Sequence, residues 1–187
     1  MKFISVCFLS LFLLACSENN NVPVIEDTTH TSENQPQSND QNLDIPAIKP
    51  ETIKFVKTTD NSEIKFPKEA LTGSDAEKEF LATGKNIYVG DAEAIKAGKK
   101  RYNLWSCTQC HGPTAKGQVG PGLTGPKYNY AKDATNKGMF ETIWAGTNGG
   151  MGAKGFGLMS ADDGVTVDEL LKIIAFVRSN GKISGNE

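Results

Sequence analysis

Cys107, Cys110 and His111 stand in the order C-x-x-C-H, within Cys107-Thr108-Gln109-Cys110-His111. Two thiols with two residues between them share one turn of chain and can add to the two vinyl groups of a haem. The residue that follows is then set beneath the iron, and a histidine there is a proximal ligand. Other chemistries fit less well. A structural zinc site takes four ligands, and the remaining candidates, Cys7, Cys16 and His30, all lie near the N-terminus. A thioredoxin-like pair would open a helix in a βαβ pattern, and no such pattern surrounds these residues. The motif therefore predicts one covalently attached haem c.

An iron that only exchanges electrons also takes a sixth ligand, and no second histidine is available for it. The candidates are Met139, Met151 and Met159. A methionine sulfur would raise the reduction potential relative to a second imidazole. Met139 falls inside a predicted helix, where packing is its expected role. Met151 is bracketed by Gly149, Gly150 and Gly152, so its backbone can come close to a flat cofactor, and it is placed first. Met159 is placed second, and an open or water-filled position third. The proximal histidine needs an acceptor for its other ring nitrogen. The loop Gly112 to Pro126, rich in glycine and proline, offers carbonyls for this, and Pro121 is the one expected to serve.

The elements around these residues read as helices. Asp91 caps a helix over about 92–104 that leads straight into the motif, with Lys96, Lys99, Lys100 and Arg101 facing solvent near its C-terminal end. Thr135 or Asn136 opens a helix to about Ala145, stopped by Gly146. Thr166-Val167-Asp168-Glu169 is a capping box ahead of a strongly periodic helix, 167–179. Ser74-Asp75-Ala76-Glu77 is a second capping box, for a short helix to about Leu81. Two short extended pieces, Ile53 to Val56 and Ile64 to Phe66, flank a turn at Asp60-Asn61-Ser62 and are expected to lie over the domain as an arm. Four or five helices, long loops and no clear sheet make an all-α domain around one haem.

The rest of the chain concerns delivery. Residues 1–16 read as a secretory signal, with Lys2 at its start and an apolar run from Phe3 to Ala15. The run ends Leu13-Leu14-Ala15-Cys16, which resembles a bacterial lipobox. That resemblance implies a lipid on Cys16 and anchorage to a membrane facing the periplasm, with Ser17 pointing to the outer membrane. Residues 17–50 hold six acids and one base and few large apolar groups, so they form a tether unable to bury enough surface to order. As a flexible coil, this stretch would span about 30 Å. The boundaries are thus 1–16 signal, 17–50 tether, 51–90 arm with a short helix, and 91–183 haem domain. Residues 51–187 hold 16 acids and 18 bases, a near-neutral balance that gives no sign of nucleic-acid binding.

Taken together, these motifs resemble the class I c-type cytochromes, and among them the cytochrome cL family. The shared class features are the helix entering the haem motif, Gly120-Pro121-Gly122-Leu123, a distal methionine and the amphipathic C-terminal helix. The features similar to cytochrome cL are Phe80-Leu81-Ala82-Thr83-Gly84-Lys85-Asn86-Ile87-Tyr88, Lys137-Gly138-Met139-Phe140-Glu141-Thr142-Ile143-Trp144, Gly149-Gly150-Met151-Gly152 and Thr166-Val167-Asp168-Glu169. The resemblance implies a class I cytochrome c fold. It also implies Met151 as axial ligand and a periplasmic single-haem carrier rather than an enzyme. The donor would be a PQQ-dependent methanol or alcohol dehydrogenase, and the acceptor a downstream cytochrome c or oxidase. Alternative readings are a carrier serving another dehydrogenase, or a peroxidase-like haem enzyme with an open distal site. Family members are commonly soluble, so a lipid anchor would be a departure.

Overall fold

The computed structural model describes residues 53–181. The stretches read as signal (1–16) and tether (17–50), with Cys16, lie outside the described residues. Five α-helices follow in order: α1 Asp75–Thr83, α2 Ala92–Leu104, α3 Cys107–His111, α4 Asn136–Ala145 and α5 Val167–Ser179. Two 3₁₀ turns, Lys68–Ala70 and Ala131–Ala134, precede α1 and α4. Among the described residues there is no sheet, only isolated bridges such as Val56 with Glu63. This is the all-α arrangement expected from the sequence, and no described helix is long and apolar enough to cross a membrane.

Crossing of α2 over α5 organises the fold. Gly98 sits at the crossing, where a Cβ would collide with the Lys172 carbonyl of α5. Glycine is thus the residue that lets two backbones meet. The apolar stripe of α5, including Leu170, Ile173, Ile174 and Val177, is buried throughout. Its capping box is complete: Thr166 Oγ1 accepts from the Glu169 N–H, and the Glu169 carboxylate accepts from the Thr166 N–H.

A second centre of the core is aromatic. Phe80 of α1 lies 4.8 Å from Phe140 of α4, and Phe140 stacks on Trp144 at 5.3 Å. Phe55 and Phe66 join this cluster, at 5.3 Å from Phe80 and 5.1 Å from Trp144 respectively. The N-terminal arm therefore inserts into the core instead of lying over it. It is fastened by Glu141, a buried carboxylate of α4 that accepts from the Val56 N–H at 2.9 Å and pairs with Lys132 and Lys137.

Ser74 caps α1, but its box is only half made. Its hydroxyl accepts from the Glu77 N–H, whereas the Glu77 carboxylate accepts from the N–H groups of Thr72 and Gly73. The Ser74 hydroxyl also donates to Asp168 of α5 at 2.7 Å. Tyr88 donates to the same carboxylate oxygen at 2.7 Å, and Lys172 pairs with the other at 2.5 Å. Burial raises the Asp168 pKa, but the bonds from Lys172, Tyr88 and Ser74 outweigh it and hold it below the usual carboxylate range. A depressed folded pKa gives stability that is full above the unfolded value and is lost as pH falls through the folded one. Asp168→Asn should therefore cost about 2 kcal/mol at neutral pH. Chemical denaturation should show the gap from wild type closing below about pH 4.

Candidate haem site

Helix α2 ends at Trp105, and Ser106 turns the chain with φ 58° into α3. The five residues of α3 are the C-x-x-C-H motif itself, so both cysteines and His111 issue from one helical turn and a half. Tyr102, buried in α2, locks this element by donating to the Gly112 carbonyl at 2.9 Å. Cys107 is partly buried and Cys110 exposed. Burial raises the Cys107 thiol pKa, with Lys154 opposing.

The loop after His111 folds back over α3. Gly117 N–H donates to the His111 carbonyl at 2.9 Å, Gly120 N–H to the Cys110 carbonyl at 2.7 Å, and Leu123 N–H to the Ala115 carbonyl at 2.7 Å. The Pro121 carbonyl thereby arrives 2.8 Å from His111 Nδ1. A carbonyl can only accept, so Nδ1 carries the ring proton and Nε2 is left with its lone pair free. The loop comes this close because residue 120 is glycine: a Cβ there would lie 3.2 Å from the imidazole.

Across from the histidine, the chain leaves α4 at Gly146, φ +75°, and reaches Gly150, φ +94°. Thr147 N–H donates to the Met151 carbonyl at 2.8 Å, and the N–H groups of Lys154 and Gly155 return to the Trp144 carbonyl. These bonds present Met151, half-buried, to a cavity of 370 Å³. Its wall also carries Cys107, Cys110, His111, Pro121 and Trp105. A smaller cavity of about 100 Å³ shares His111, Pro121 and Met151 and holds neither cysteine.

The other methionines are elsewhere. Met139 is buried in α4 within the core, and Met159 is half exposed and lines neither cavity. All the sequence-predicted haem residues converge on the larger cavity, and Cys16 lies outside the described residues. Sequence reasoning missed three residues around the site. Trp105, Asp133 and Arg178 each carry a polar group that periodicity treats as solvent-facing or incidental. Arg178 is buried and bonds Tyr128 Oη, Asn136 Oδ1 and the Asp133 carbonyl, tying the end of α5 to the loop below the cavities.

The donor set fits haem c. One imidazole nitrogen is free, one thioether sulfur lies on the same cavity, and two thiols line its wall. The volume falls within the range of cofactor clefts, roughly 300–1,000 Å³. Among the described residues Trp105 Nε1 is the buried side-chain polar atom that lacks a partner, and it lies on a residue of that wall. A buried donor without an acceptor costs about 1–3 kcal/mol, which marks the wall as built for a further group.

Comparison with known proteins gives concordant results. The cytochrome c family profile matches residues 95–181. Cytochrome c-L of Methylorubrum extorquens is 37% identical over 111 residues, 59% of this chain. The match spans 52% of that relative, so the chain covers about half the length of the curated protein it matches. The crystal structure of cytochrome cL from the marine methylotroph Methylophaga aminisulfidivorans superposes with a TM-score of 0.58 at 37% identity, over 68% of this chain and 79% of that one. Cytochrome cL from Hyphomicrobium denitrificans gives 0.59 at 37% identity, over 68% and 73%.

Proposed function

This chain belongs to the cytochrome cL family of the cytochromes c, whose cofactor is covalently bound haem c, and from that premise we propose that it is a single-haem electron carrier. Its donor is a PQQ-dependent methanol or alcohol dehydrogenase, and its acceptor a downstream cytochrome c or oxidase. In this reading Cys107 and Cys110 would hold a haem c through thioethers, and His111 and Met151 would be the residues that bind its iron. When bound, the haem supplies a one-electron couple. The protein breaks no substrate bond.

The chain's own residues supply the rest. The Pro121 carbonyl keeps the His111 proton on Nδ1 and so fixes which nitrogen faces the cavity. The 146–155 loop carries the sulfur of Met151 to the same space. Tyr102 and the core of α5 exclude water beneath. Exposed Cys110, Val119 and Gly150 leave one rim of the cavity open to a partner. The convergence of His111, with its Nδ1 committed to Pro121, and Met151 on one cavity is the observation that carries this reading.

Stopped-flow mixing with a purified PQQ-dependent methanol dehydrogenase and methanol tests it. Rapid reduction is expected. Reduction by other dehydrogenases but not by this class would reassign the partner.

Delivery to the periplasm is part of the proposal. Cys16 carries the lipid, and the 17–50 tether holds the domain within reach of a membrane. Cys16→Ser should abolish labelling by radioactive fatty acid and move the protein from the membrane to the soluble fraction. Unchanged labelling would remove the anchor from the account.

A further inference from the structure

No carboxylate lines the larger cavity, and Lys154 is the only lysine or arginine on its wall. It does not line the smaller cavity. Its charge is felt at Cys107, where it opposes the effect of burial on the thiol. The ammonium therefore stands on the side of the cavity that carries the first cysteine of the motif.

The backbone beneath this side chain is fixed. The Lys154 N–H donates to the carbonyls of Ile143 and Trp144, each at 3.1 Å, and its own carbonyl accepts from the Val165 N–H at 2.8 Å. The next residue, Gly155, lies so close under Trp144 that a Cβ would come within 2.4 Å of the indole. Lys154 thus projects from a strap pinned to the end of α4 and to the residue that precedes α5.

What sets this lysine apart is that nothing neutralises it. Lys132 and Lys137 share the buried Glu141 carboxylate, and Lys172 pairs with Asp168. Lys154 is half-buried like them, yet among the described residues it forms no ion pair. Taking a cation partly out of water without a counter-charge is unfavourable. Its field is also screened less than that of an exposed lysine, so it acts on whatever fills the cavity.

We infer, on the reading that haem c fills this cavity, that Lys154 is a potential-setting residue: its fixed positive charge favours the reduced haem over the oxidised one. The oxidised centre carries one more positive charge than the reduced centre. A cation on the cavity wall repels that extra charge and so raises the midpoint potential. The donor's electron is the only particle transferred, and Lys154 keeps its protons throughout. Its role is electrostatic, distinct from iron ligation by His111 and Met151.

Potentiometric titration of the holoprotein and of a charge series at position 154 tests this. Midpoints should follow charge: Lys154→Arg close to wild type, Lys154→Gln and Lys154→Met lower, and Lys154→Glu lowest. All should keep the sulfur-to-iron band, which a merely structural disturbance of the Met151 loop would remove. Lys100→Gln removes the same net charge from the exposed face of α2, away from both cavities, and should stay close to wild type. Equal midpoints in wild type and the Gln, Met and Glu variants would overturn the inference. So would a fall in the Arg variant as large as in the Gln variant, or an equal fall in Lys100→Gln. Failure of the haem reading itself is recognised separately, by a colourless wild-type protein.

Discussion

Gly98→Ala should destabilise the holoprotein by about 3 kcal/mol, although alanine is the better helix former. In an isolated helix the change would gain about 1 kcal/mol. Here the added methyl meets the Lys172 carbonyl, backbone against backbone, and neither helix can yield without moving its whole buried face. Helix α5 contributes ten of its thirteen residues to the buried set, so a shift at the crossing is felt along the length of the core. Chemical denaturation of haem-loaded protein, together with the yield of covalent haem, measures the effect. Wild-type or higher stability would mean that the crossing is looser than the structure has it.

Met151→Ala should keep the covalent haem and lose the weak long-wavelength band that arises from sulfur-to-iron charge transfer. Its reduction potential should fall on the order of 0.2 V, within the roughly 0.8 V span that axial ligands command. The vacated position should bind carbon monoxide or imidazole rapidly. Met159→Ala serves as the comparison: Met159 is 50% exposed and lines neither cavity, so its spectrum and potential should match wild type. If the two variants exchanged behaviours, the distal ligand would have to be reassigned.

These expectations differ in how far the sequence alone supports them. The C-x-x-C-H spacing and the glycine bracket around Met151 are local patterns, and local patterns survive without a structure. Helices α2, α4 and α5 were legible for the same reason, since capping residues and periodicity mark their ends. Buried charge was not legible. Glu141, Asp133, Asp168 and Arg178 look like ordinary surface residues in one dimension, and only tertiary packing gives them partners up to 94 positions away. The arm shows the same limit. Phe55 and Phe66 are two apolar residues in a weakly patterned stretch, and their place between α1 and α4 depends on long-range contacts. Glu77 shows it in miniature: a capping-box spacing supplied a carboxylate that the fold directs one turn earlier, to Thr72 and Gly73.

The central claim is that one iron is held between an imidazole nitrogen and a thioether sulfur. Near-infrared magnetic circular dichroism of the oxidised mature protein, produced with an intact cytochrome maturation pathway, reads that ligand pair directly. A low-spin histidine–methionine signature is the expected result. A bis-nitrogen or high-spin signature, or no haem signal at all, would contradict it.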